Sequence, residues 1–160
     1  MQEGIVAMAN IRIDPYFQEV SLAAMRFQEL EEALKTYLAT CFTIIKLGLN
    51  DKVAFEFTRD DVDELPLGRL VSLYEKYTTN PDLLRQLKPL PKKRNYIAHK
   101  AYLLSYKAGE MEEVIATEKN KVIEISKEAD FALQELFHDY QELEEELENQ
   151  VQKAEDANWK

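Results

Sequence analysis

Apolar residues recur along this chain in alternating steps of three and four. Val20, Ala23, Phe27, Leu30, Leu34, Tyr37, Cys41 and Ile44 describe one face of a long helix. Asp14-Pro15 supplies its start, a capping side chain followed by proline at the first helical position, and Gly48-Leu49-Asn50 its end. Residues 1–13 show no sustained period and are expected to lead in loosely. Val53 to Phe57 reads as a short extended piece, and Thr58 to Asp61 as a loop or short turn.

Leu65-Pro66 opens a second helix with Leu67, Leu70, Val71, Tyr74 and Tyr77 on its buried side. Asn80-Pro81 stops it and caps a brief helical turn through Leu87. Pro89 and Pro91 break the chain, and Pro91 suits the first turn of a third helix over about 90–106, closed by Ala108-Gly109. The last helix begins near Met111 or Thr117 and runs to about Ala154. Its stripe is Val122, Ser126, Ala129, Leu133, Leu136, Tyr140, Leu143, Leu147 and, more weakly, Gln150 and Ala154. The acidic run Glu142 to Glu148 falls outside that stripe and reads as solvated surface. Residues 155–160 are expected to fray, with Trp159 finding no core. The pattern predicts an all-α fold: one domain over 14–154, built as an antiparallel four- to five-helix bundle.

Composition agrees, with four glycines, five prolines and 46% hydrophobic residues in 160. The single cysteine, Cys41, lies in an apolar run and reads as a small buried hydrophobe. Two histidines on different helices argue against a zinc site, and no cofactor or metal is expected. No basic start leads into an apolar stretch of secretory length, and no apolar run approaches a membrane span. A cytoplasmic protein without a membrane partner is the resulting expectation.

Net charge is -10, unfavourable for nucleic acid, but it is unevenly spread. Between Asp82 and Glu110 there is no acidic residue, while Arg85, Lys88, Lys92, Lys93, Arg94, Lys100 and Lys107 fall there. That window surrounds the segment Arg94-Asn95-Tyr96-Ile97-Ala98-His99-Lys100. Phosphate-loop, nucleophile-elbow and His-Glu-x-x-His patterns are absent from the chain.

On an ideal helix Asn95, His99, Tyr102 and Tyr106 share one face, and Ile97, Ala101 and Leu104 the other. Arg94 lies about 140° from His99 around that axis. It must bend round to meet the imidazole, or serve a site shared with another subunit. A guanidinium grips two phosphate oxygens and stays charged, and an imidazole exchanges protons near neutrality. The pair therefore suits a phosphodiester, with Lys92, Lys93 and Lys100 drawing RNA in. The Arg/His spacing alone is weakly specific; its setting on a third helix inside a basic window adds weight.

Arg94-Asn95-x-x-x-His99 resembles the Arg-x(4 to 6)-His signature of the HEPN superfamily, and the helical order from Asp14 to Ala154 is similar too. The resemblance implies a helical-bundle homodimer whose paired motifs form a composite, metal-independent endoribonuclease site. It implies Arg94 and His99 as catalytic, with Asn95 and Tyr102 supporting, and a toxin–antitoxin or antiviral setting. An antitoxin is one implied partner. A nucleotidyltransferase is another, although the His-x-Tyr order that it modifies is one residue longer here, His99-Lys100-Ala101-Tyr102. A different class of function is a non-catalytic HEPN-like module for dimerisation or for binding RNA or a partner. The long seams of the first and last helices and the acidic outer surface favour it.

Overall fold

The computed structural model describes residues 14–50, 52–105 and 112–158. The loose lead expected at 1–13, the stop at Ala108-Gly109, and Tyr106, Lys107 and Trp159 lie outside them. Asp14 caps α1 (Pro15–Gly48) through its Oδ1, which accepts a hydrogen bond from the Tyr16 N–H at 2.9 Å. Val20, Ala23, Phe27, Leu30, Leu34, Tyr37 and Cys41 are all buried, so α1 is the spine of the core. Each fully buried leucine there stabilises the fold by about 1.5–3 kcal/mol.

After α1 the chain turns back without a helix. Phe55 and Phe57 rest on Phe42 with ring centroids 6.1 and 5.6 Å away, and Arg59 reaches Glu32 at 2.6 Å. The one-turn α2 (Asp60–Asp63) thus begins well down the side of α1. From there α3 (Leu67–Tyr77) climbs in the direction of α1, since Tyr74 stacks edge-on to Tyr37 and Tyr77 to Phe42. Asn80 caps α4 (Pro81–Leu87) by accepting from the Leu83 N–H at 3.0 Å, as its Asn-Pro sequence predicts. The descending rod is α5 (Leu90–Asn95), a π-helical turn (Tyr96–Ala101) and α6 (Tyr102–Ser105). It runs antiparallel to α1: Arg94 faces Glu31, and Tyr102 lies by Phe17.

The final helix, α7 (Glu112–Asn158), lies mainly against α1 and continues past Ala154. Its predicted stripe is buried at Val122, Ser126, Ala129, Leu133 and Leu136, and half-buried from Tyr140 through Ala154. The direction differs from the antiparallel expectation. Arg26 pairs with Asp130 at 3.3 Å, and Thr36 shares a cavity with Tyr140. Each α1 residue therefore faces one 104 positions further on, so α1 and α7 run parallel. The cause is the return segment 52–59, which crosses the length of several α1 turns as irregular chain and inserts an additional pass.

Asp139 of α7 ties three elements together. Its Oδ2 accepts from the Tyr74 hydroxyl at 2.7 Å, and its Oδ1 from Asn80 Nδ2 at 3.1 Å. Helix α3 and the cap of α4 are thereby fixed to the same point on α7.

Candidate functional site

The segment singled out by sequence contains the π-helical turn of the fold. Here the Tyr102 N–H donates to the Ile97 carbonyl, five residues back. At the end of this turn the Ala101 carbonyl accepts from the Tyr16 hydroxyl at 3.0 Å, which ties the widened turn to α1. Ile97 and Ala101 point into the core while Asn95, His99 and Tyr102 are exposed, as their spacing predicts. An i→i+5 turn advances less than 100° per residue, which narrows the ideal-helix separation of Arg94 and His99. π-Bulges inside helices are frequent at functional sites.

Arg94 reaches sideways to α1. Its Nε lies 3.4 Å from Glu31 Oε1, across a cavity of about 140 Å³ lined also by Ala24, Phe27, Gln28, Ile97 and Ala98. The Glu31 side chain is only 18% exposed, and its Oε1 makes no hydrogen bond among the described residues. The contact is thus a charge interaction outside hydrogen-bond geometry, and the guanidinium is what offsets that buried oxygen. With the Arg94 side chain 42% exposed, its guanidinium remains accessible to a ligand. His99 is exposed and is not among the residues lining either cavity that Arg94 lines. Arg94 precedes the π-helical turn, and His99 lies within it.

The basic window is largely answered by the fold. Arg85 pairs with Asp82 at 3.1 Å, Lys88 with Glu75 at 2.7 Å, and Lys93 with Glu128. Such exposed pairs contribute little stability, so a polyanion can displace them. Lys92 and Lys100 are exposed, and Lys100 Nζ lies 5.9 Å from the Tyr96 ring centroid. Lys121, from α7, sits closer over that ring at 3.9 Å and brings a cation from outside the window. Glu31, Arg69 and Lys121 are the neighbours that sequence reading missed. Each comes from a distant segment, so no local motif points to it.

Cys41 is buried, and burial first, then the charge of Asp139, pushes its thiol up to about 12. At neutral pH it is a protonated hydrophobe, not a nucleophile. Among the described residues no group of three His, Cys, Asp or Glu side chains is placed to hold a metal ion, and no helix is long and apolar enough to cross a membrane. No family model matches the chain, and neither a curated protein nor a solved structure matches it.

Proposed function

We propose that this protein is a metal-independent endoribonuclease of the HEPN type, working as a homodimer in a toxin–antitoxin or antiviral defence role. The observation that carries the reading is a part-exposed Arg94, its Nε facing Glu31, just ahead of a π-helical turn that holds an exposed His99. In the proposed reaction the His99 imidazole takes the proton of a ribose 2′-hydroxyl. The 2′-oxygen bonds to phosphorus, the bond to the 5′-oxygen breaks, and that oxygen takes a proton from imidazolium. Arg94 stabilises the charge that builds on the phosphorane oxygens.

A second copy would set a partner motif beside this one, the composite arrangement that the resemblance to HEPN domains implies. The exposed apolar residues Phe17, Met25, Tyr102 and Leu103 offer a surface for it. Beside them is a cleft of about 390 Å³ lined by Val20, Ala24, Met25, Ala98 and Tyr102. Docking two such faces would bring both π-turns to one axis.

Purified protein incubated with RNA in EDTA tests the proposal. Cleavage lost in both His99→Ala and Arg94→Ala is the expected result. Undiminished cleavage in either variant, or none by the unaltered protein, would refute it. The second reading, a non-catalytic binding module, draws on one observation: Lys88, Lys93 and Arg94 are each already paired inside the chain. It predicts a dimer that leaves RNA intact.

A further inference from the structure

Arg94 has two sides. One meets Glu31, and the other borders a separate cleft of about 280 Å³ between the start of α3 and α5. Arg69, Arg94 and Asn95 supply the polar part of its wall, and Pro66, Leu67 and Pro91 the apolar part. None of the lining residues is acidic, and the first turn of α3 carries no acidic residue. In a chain with 30 acidic and 20 basic residues, a cleft lined by two arginines and an asparagine stands apart. Arg69 is exposed and pairs with no carboxylate of the described residues.

Two like charges around one hollow repel each other until an anion enters. Guanidinium forks match phosphate oxygens in pairs, and an asparagine amide adds a further donor. The apolar walls suit the sugar that a phosphodiester carries and a bare ion lacks. Leu67, Gly68 and Arg69 belong to the first turn of α3, and Pro91, Arg94 and Asn95 to α5, so helix borders the cleft on both sides.

We infer that this cleft is a phosphate subsite for a strand of RNA, gripped by Arg69, Arg94 and Asn95 next to the π-turn. It rests on the nuclease reading for the source of the phosphate, while its charge pattern is independent of cleavage. Arg94 then spans two roles, holding the neighbouring phosphate as well as facing the reacting one.

Binding of a short single-stranded RNA is measured in a His99→Ala background, so that cleavage cannot interfere. Arg69→Gln is expected to weaken binding about 10-fold, the scale of one charge-assisted contact. It should also lower the slope of log affinity against log salt by about 0.7 to 1. Arg69→Lys, which keeps the charge but not the fork, should fall between. Arg85→Gln removes the same charge from an exposed position on α4 and should leave affinity within about 2-fold, as expected of a surface position. Combining Arg69→Gln with Arg94→Gln should cost less than the two separately, because they share one phosphate. Circular dichroism melting confirms that each variant folds. Unchanged RNA affinity and salt slope in Arg69→Gln would overturn the inference, as would a cleft that responds to inorganic phosphate but not to the strand. Failure of the unaltered protein to cleave RNA would remove the nuclease reading alone; Arg69-dependent binding would still support the subsite.

Discussion

Glu31 on α1 and Arg94 on α5 meet at 3.4 Å through Oε1 and Nε, and the carboxylate is much the more buried of the two. The pair therefore aims the guanidinium from behind. Glu31 touches no reacting atom in the proposed site, so it is a positioning residue. Glu31→Gln should lower the turnover number for RNA roughly 10- to 100-fold, the scale of a small misplacement. The Michaelis constant should stay level or fall, because a negative charge has gone. Glu31→Asp should restore part of the rate. Steady-state kinetics of the three proteins decide it: equal turnover numbers with only a shifted melting temperature would reduce Glu31 to a structural role.

Asp139 is the point where α3, the α4 cap and α7 converge, and its two oxygens have different partners. Tyr74→Phe removes one donor to a charged acceptor and should cost about 1.5–3 kcal/mol. Asp139→Ala removes the same bond and also releases Asn80, so it should cost more than Tyr74→Phe. The double variant should fall short of the sum, since both remove the same bond. Urea unfolding midpoints measure all three, and strict additivity would mean that the hydroxyl and carboxylate do not interact.

Alkaline pH should destabilise the fold through Cys41, Tyr37 and Tyr74. Burial is the largest cause for each, and the charge of Asp139 also raises each. A folded pKa raised above the unfolded value means that stability is complete below the unfolded value and falls as pH rises toward the folded one. For Cys41 that window runs from the ordinary value of 9.0 up to about 12. The melting temperature should therefore be level to about pH 8 and fall beyond it. At pH 8 the thiol should resist a disulfide reagent in the native protein and react once urea unfolds it. Fast labelling of the native protein would contradict the burial of Cys41.

Helix positions were readable because two signals coincide in them. Asp14 and Asn80 both cap as their Asx-Pro sequences predict, and the α1 stripe is buried from Val20 to Cys41. Helix direction was not readable. A stripe of three- and four-residue steps has the same period whichever way its partner runs, and only the path of residues 52–59 makes α1 and α7 parallel. The internal partners of the basic window were not readable for a related reason. Lys88 and Lys93 find Glu75 and Glu128 across the fold, 13 and 35 residues away, where a local charge count cannot see them. At the candidate site Arg94 and His99 stood out by spacing, but Arg69 and Glu31 enter only through packing.

The π-turn provides the sharpest test of how backbone geometry bears on chemistry. A π-turn holds one residue more than the α-helical turn it interrupts, and its flanks are in helical register on either side. Ala98 is exposed and lies between Arg94 and His99. Deleting it should let the rod over 90–105 close into a regular α-helix, with Ile97 and the residues after Ala101 kept on their present faces. Stability should change by no more than about 2 kcal/mol, since no buried side chain is removed. His99, however, would move to four residues after Arg94 and swing relative to it. Cleavage should then fall on the order of 100-fold while RNA affinity, governed by Arg69 and the lysines, changes less than about 3-fold. Full activity in a folded deletion variant would show that the widened turn is incidental to catalysis. Loss of binding together with cleavage would show that the turn shapes the RNA surface and not the reacting pair.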